Sequence, residues 1–371
     1  MFERTGPQQS SMAALLVFTA LCGVLSIVLV IAALVAIGPG TPVAGAAPGR
    51  PAASAALTIG WVGDVTPGSQ YGTITGDGRA LFAAMRPMLR RPDVMVANLE
   101  GTLGAGGAAK CVTGTPNCFA FQAPPAAART LRWAGIDVVN LANNHSFDYG
   151  AEGRRSTLAA LQDAGVGVTG LPGRITVVRR RGISVALVGF STYPWAPRLT
   201  DPAEVRDLIG RAAGAADVVV AILHAGAEGA AYARTPAGTE YAYGEDRGDV
   251  RAFARTAVDA GADLVLGSGP HVLRGLQRRH GRLIAYSLGN FAGVQNFSTA
   301  GTLALSGVLR VRVSRRGAVE AARLIPVRLG PTGTPARDTS GAALRFVDQL
   351  SAADFGASAA RVAPSGTVRL R

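Results

Sequence analysis

AGIDVVNLANNHSFDYG, residues 134–150, compresses the architecture of the chain into one line. Ala134-Gly135 closes a helical pattern, because glycine after the last turn accepts the left-handed conformation that ends a helix. Asp137 to Leu141 follows as a short valine-rich run, which suits a buried strand and is too short for a helix. Beyond it Asn143, Asn144, His145 and Asp148 stand on a loop, and polar side chains carried on loops between rigid elements are disproportionately functional. A second helical pattern begins near Gly153.

The same beat recurs along the chain. Strand-like runs lie at Leu57 to Gly63, Asp93 to Ala97, Asp137 to Leu141, Ser184 to Phe190, Asp217 to Leu223, Asp263 to Leu266 and Leu283 to Ser287. Helical patterns lie near Gly78 to Arg90, Ala126 to Ala134, Gly153 to Ala164, Pro202 to Ala213 and Asp249 to Ala260. Alternation of this kind predicts an α/β fold. After residue 300 the pattern changes to two longer alternating runs, Leu303 to Val313 and Val319 to Val327, which read as an antiparallel pair closing a sheet. Residues 331–341 read as a loop, with a short helix from Ala342 to Leu350, and no internal repeat is visible.

Ahead of the α/β pattern the composition is different. A tail at residues 1–11 precedes residues 12–37, which carry no charge and no proline. That span exceeds the roughly 20 apolar residues needed to cross a bilayer and reads as a single transmembrane helix. A cleavable signal peptide, cut near Ala44 to Ala46, is the competing reading, but its apolar region should run only about 7 to 15 residues. Residues 38–56 are Gly, Pro and Ala rich and read as a spacer. A domain over 57–330 and an extension over 331–371 complete the expected organisation. Cys111 and Cys118 bracket a loop that a disulfide could close, two free thiols being the alternative; a bond there would place the domain outside the cytoplasm.

The net charge of +13 comes almost wholly from arginine, since Lys110 is the only lysine. Arginine without interleaved aromatic platforms argues against nucleic acid, and a membrane surface or an anionic polymer accounts for the charge at least as well. Gly-x-Ser-x-Gly in strand-turn-helix context is absent, as are Walker and dinucleotide glycine patterns, which disfavours serine-hydrolase chemistry and nucleotide binding of those types.

Chemistry concentrates just past the strands. Gly63-Asp64, the Asn98 to Gly101 motif with Glu100, Asn143-Asn144-His145, His224 to Glu228 and Ser268 to His271 hold three of the four histidines. Open α/β sheets keep their ligands at the carboxyl ends of strands. Carboxylate, amide and imidazole groups together suit a divalent cation and two-metal hydrolysis. Asp148, three residues past His145, could orient its ring. Asp148 and Glu228 join His145 and His224 as candidate catalytic groups, and Asn290 could complete a polar rim.

These motifs, in this order over residues 57–300, resemble the CapA family of capsule synthesis proteins, also called PgsA-type poly-γ-glutamate biosynthesis proteins. The matching stretches are GDV at 63–65, NLEG at 98–101, residues 134–150, HAGAEG at 224–229, GADLVLGSGPHV at 261–272 and IAYSLGNF at 284–291. The resemblance implies a calcineurin-like metallophosphatase fold, a two-sheet sandwich flanked by helices, behind an N-terminal membrane anchor, with the globular part extracytoplasmic. It further implies that Asp64, Glu100, Asn144, His145, His224 and His271 occupy positions of metal ligands or catalytic groups, for Mn²⁺ or a similar ion. Thr66 and Ser268 stand where many such proteins have histidine, so one metal or none is implied in place of a full dinuclear centre. The implied partners are an anionic polymer such as polyglutamate, the membrane and subunits of a capsule synthetase.

Overall fold

The computed structural model describes residues 55–69, 71–112 and 115–370. The tail, the apolar segment at 12–37 and nearly all of the spacer lie outside these residues. Among the described residues no helix is long and apolar enough to cross a membrane.

Two sheets face each other. The larger contains β1 (Ala56–Thr66), β2 (Val94–Leu99), β3 (Val138–Asn140) and β4 (Gly167–Thr169). The smaller is built from β5 (Thr176–Arg180), β6 (Ile183–Ser191), β7 (Val218–His224), β8 (Leu264–Ser268), β9 (Leu276–Arg279) and β10 (Arg282–Ala285). The chain then returns to the larger sheet with β11 (Asn290–Gly293), β12 (Leu305–Ser314), β13 (Val319–Leu329), β14 (Pro335–Arg337), β15 (Arg361–Val362) and β16 (Thr367–Arg369). Strand order is β15-β16-β13-β12-β1-β2-β3-β4 in the larger sheet, with β11 beside the end of β1 and β14 on β13; the smaller runs β9-β10-β8-β7-β6-β5.

Alternation along β1 explains the layering. Leu57, Ile59 and Trp61 point inward to meet Val185, Leu187, Val220, Ile222, Leu264 and Leu266 of the other sheet. Val62 points outward with Met95, Ala97 and Val139, where α2 (Ala127–Ala134) and α3 (Gly150–Asp163) cover them through Ala127, Leu131 and Leu161. On the far side α4 (Pro202–Ala215) and α5 (Val250–Asp259) lay Val205, Leu208, Phe253 and Ala257 over Ala186, Val188, Val219 and Val265. Strands covered on both faces read as unbroken apolar runs, which is why the parallel ones stood out in the sequence.

The aspartate that opens four of those runs has a structural task. Asp93, Asp137, Asp217 and Asp263 accept the backbone N–H groups of Thr58, Met95, Ser184 and Val219 on the neighbouring strands, at 2.8–2.9 Å. Each satisfies a donor that the end of a sheet ladder would otherwise leave unpaired. Arg181, Arg132, Arg315 and Arg282 pair with these carboxylates in turn.

Three stretches depart from the sequence reading, one of them residues 331–341, where the expected loop contains β14 paired with β13. Residues 78–90 are not one helix but a 3₁₀ turn, Arg79–Leu81, and a single helical turn, Arg86–Leu89 (α1). Pro87 has no N–H, and its ring would strike a carbonyl of the preceding turn. The terminal helix runs longer, from Ala342 to Phe355 (α6), and the stretch after it adds β15 and β16 to the larger sheet. Strands of two or three residues carry no readable period. Cys111 and Cys118 are joined in a disulfide, their Cα atoms 6.0 Å apart.

Candidate metal centre

Where β1 ends, its register with both neighbours shifts at Gly63 to Val65. Such a bulge re-aims a side chain. Gly63 is required there: a Cβ would lie 1.8 Å from the carbonyl oxygen of Gly289. Asp64 consequently turns into the gap between the two sheets and is fully buried. Asn98, at the end of β2, donates to Asp64 Oδ1 at 2.8 Å. Asn98 Oδ1 in turn accepts from Asn140 at 2.9 Å and Asn143 at 3.1 Å, so a chain of amides fixes the carboxylate.

The smaller sheet delivers the imidazoles. His224 ends β7 with Nδ1 3.5 Å from Asp64 Oδ1 and Nε2 3.6 Å from Glu100 Oε1. His271 follows β8 with Nδ1 3.4 Å from Asp64 Oδ2, and its Nε2 lies 3.6 Å from both Glu100 Oε1 and Glu228 Oε2. His271 adopts φ +57°, a left-handed backbone rare outside glycine. Asn290, at the start of β11, meets its Nδ1 at 2.8 Å.

Donor atoms of Asp64, Glu100 and His271 all lie within 4.8 Å of one another. Both carboxyl oxygens of Glu100, and Nε2 of His224, are buried without a hydrogen-bond partner. A buried acceptor left unpaired costs free energy, and here the orphans converge on a shared point. Two carboxylates and an imidazole, with both oxygens of Glu100 unfilled, fit a divalent cation. Ser268 does not add a ligand but sets His224, its Oγ 3.1 Å from Nδ1, while the hydroxyl of Thr66 is buried without a partner.

The charges are tightly interdependent. Burial opposes ionisation of Asp64, yet hydrogen bonds from His224 and His271 and their positive charge hold its carboxyl far below the usual range. Burial drives Glu100 well above that range, with Asp64 and Glu228 adding to the effect. Burial disfavours the His271 cation, but Glu100, Glu228 and Asp64 outweigh it and raise its pKa well above the ordinary value; His224, for which burial dominates, is lowered. The coupled Glu100–His271 pair therefore favours retaining a proton that a cation must displace. Metal affinity should rise with pH, with proton release detectable by calorimetry in two buffers of different ionisation enthalpy. Uptake unchanged between about pH 5 and 8 would contradict this linkage.

Glu228 reaches the centre and is neutralised by buried Arg247, Nη1 to Oε1 at 2.8 Å. Asp148 meets His145 Nδ1 at 2.6 Å, and Glu228 and His145 influence one another electrostatically. Asp148 does not cap α3, whose first turn has no side-chain cap. Asn144 keeps its Oδ1 buried and unpartnered, and its backbone oxygen accepts from Lys110 at 3.4 Å. Arg247, and Tyr193 whose hydroxyl it meets at 2.9 Å, carried no signal in the sequence. Asn98 did, as a polar residue ending an apolar strand inside a quoted motif.

Residues 58–295 match the family described as bacterial capsule synthesis protein PGA_cap. The chain belongs to the PGA_cap family. Among curated PGA_cap-like relatives, the PGA biosynthesis protein CapA of Bacillus subtilis (strain 168) is 28% identical over 262 residues, 65% of this chain and 64% of its own. The capsule biosynthesis protein CapA of Bacillus anthracis is 28% identical over 269 residues, 65% of this chain and 61% of its own. The chain thus spans less than two thirds of the length of these relatives. A 5'-nucleotidase precursor from Thermus thermophilus aligns with a TM-score of 0.43 and 16% identity, over 79% of this chain and 58% of that one.

Proposed function

We propose that this PGA_cap protein acts in the biosynthesis, export or anchoring of poly-γ-glutamate or a related anionic surface polymer, held to the cell membrane by residues 12–37 with its globular domain extracytoplasmic. The observation that carries the reading is the buried cluster of Asp64, Glu100 and His271 at the sheet ends of a chain that belongs to a capsule synthesis family. The Cys111–Cys118 disulfide supports the compartment, because such bonds persist where conditions are oxidising. The arginine excess supports an anionic partner, and subunits of a polymer synthetase are the protein partners this role calls for.

The donor set favours one further reading, metal-dependent hydrolysis of a phosphoester or γ-glutamyl amide. Asp64, Glu100, His271 and His224 would hold Mn²⁺ or a similar ion, which when bound supplies Lewis-acid polarisation of the bond to be cleaved and activation of water. His145, its Nδ1 held by Asp148 and its pKa lowered by burial, keeps Nε2 to accept a proton as a general base. Against burial, the charges of His271 and then Arg247 hold the Glu228 carboxyl below the usual range.

Deleting the gene in a polymer-producing strain should abolish surface polymer, and the full chain should restore it. Unchanged polymer after deletion rejects the role. Complementation by Asp64→Asn as effective as by the unaltered chain would retain the role and reject the hydrolytic reading.

A further inference from the structure

The loop between residues 103 and 122 makes a contact with the site that the metal centre does not require. It leaves the core after Thr102–Leu103 and returns alongside at Gln122–Ala123, with Thr102 donating to Phe121 O at 3.0 Å and Gly104 to Ala123 O at 2.8 Å. Between those points the described residues from Ala105 to Phe119 are exposed or half-exposed, and apolar burial is confined to Ala120 and Phe121 at the returning end. Its two legs nevertheless close on one buried carboxylate. Lys110 donates its backbone N–H to Asp148 O at 2.7 Å, and its Nζ lies 2.7 Å from Asp148 Oδ1. Phe121 donates its backbone N–H to Asp148 Oδ2 at 2.7 Å and stacks its ring on His145 with centroids 4.0 Å apart. Cys111 adjoins Lys110, Cys118 precedes Phe121 by three residues, and the disulfide ties the two legs together.

We propose that the disulfide-closed loop is a clamp that orients His145: Lys110 and Phe121 are positioning residues that fix Asp148, and Asp148 fixes the imidazole. The clamp works only when Cys111 and Cys118 are oxidised. Lys110, the sole lysine of an arginine-rich chain, suits this place because a compact ammonium on a flexible stem can reach past the backbone to a single buried oxygen. The inference rests on the cleft being the working site, not on which polymer it serves, and its readouts do not depend on capsule formation.

The test uses the full chain in detergent with ¹⁵N-labelled histidine. The His145 Nδ1 proton hydrogen-bonded to Asp148 should give a low-field resonance, assigned by its loss in His145→Gln. Treatment with dithiothreitol breaks the Sγ–Sγ bond, giving two thiols at the expense of a dithiol that becomes its own disulfide. Reduction should broaden or abolish the resonance and speed amide exchange of Lys110 and Phe121 by on the order of tenfold or more. Dithiothreitol should change nothing further in the Cys111→Ser/Cys118→Ser variant, which should already resemble the reduced protein and which separates this bond from Cys22. With the disulfide intact, Lys110→Met should weaken the resonance and Lys110→Arg should restore it in part. An unchanged resonance and unchanged exchange after reduction, with both thiols verified by mass spectrometry, overturns the clamp. A Lys110→Met protein with the unaltered signal overturns the part assigned to Lys110.

Discussion

Glu100→Gln should abolish the stabilisation that Mn²⁺ confers while leaving the metal-free protein nearly as stable as before. In the absence of metal, burial pushes the Glu100 pKa well above the ordinary carboxylate range, with His271 opposing and Asp64 and Glu228 adding, which favours the neutral carboxyl. Glutamine is close to an isostere of that neutral form, so unfolding without metal should shift by no more than about 1 kcal/mol. With metal the two side chains differ fully, because the amide brings no negative charge to a cluster in which Asp64 and His271 supply the other donors. A ligand present at a hundred times its dissociation constant stabilises the folded state by about 2.7 kcal/mol, and the variant should lose most of that. Calorimetry should show affinity lower by on the order of a hundredfold, at or beyond the upper end of losses seen when only a supporting residue is removed. Urea unfolding with and without Mn²⁺ reads both effects. Equal stabilisation of variant and unaltered protein would remove Glu100 from the centre.

A comparable loss, this time of stability, is expected from Arg274→Met. Arg274 is 1% exposed and grips Glu240 through two hydrogen bonds, at 2.8 and 2.6 Å. Glu240 also accepts from the backbone of Ala227 at 3.1 Å, and Arg274 donates to the carbonyls of Tyr232 at 3.0 Å and Ala227 at 3.3 Å. The pair therefore pins the segment that carries Glu228 to the metal centre. Removing the arginine strands a buried carboxylate, a change that costs about 3–5 kcal/mol. Replacing both partners, Arg274→Met with Glu240→Leu, should recover a large part of the loss, since two apolar groups leave no buried charge behind. A double-mutant cycle by chemical denaturation measures the coupling. A single-variant cost below about 1 kcal/mol would mean that water reaches the pair and that the loop has other support.

Much of the fold was legible because its strands are short, apolar and buried on both faces. Asp137 to Leu141 and Asp217 to Leu223 fall within a residue or two of β3 and β7. The leading aspartates belonged to the signal, though their purpose, accepting a neighbouring strand's N–H, became visible only with the sheet assembled. Pro87 was present in the sequence and should have divided the helix expected over residues 78–90. The edge strands β15 and β16 are too short for any period to register.

Within the site, residues at strand ends were readable because an Asp or His after an apolar run has no packing reason to be there. Asp64, Glu100, His224, Glu228 and His271 do converge. His145 and Asp148 form a neighbouring pair tied to the loop at residues 104–121. Arg247 was invisible, because an arginine among Glu245, Asp246 and Gly248 looks like a solvated turn. It is buried beside Glu228 because the hairpin that bears it folds back over the cleft.

The sequence by itself determined the alternation of the longer strands and helices, the polar residues at strand ends and the family, since periodicity, glycine and motif spacing are local properties of the chain. Tertiary structure alone decided that Glu100 is left with empty acceptors, that Ser268 orients His224 and that a disulfide-closed loop grips Asp148. Those features depend on distances between groups far apart in the chain and on the exclusion of water around them. Burial and charge at one residue are set by the joint packing of all its neighbours, which no single stretch encodes.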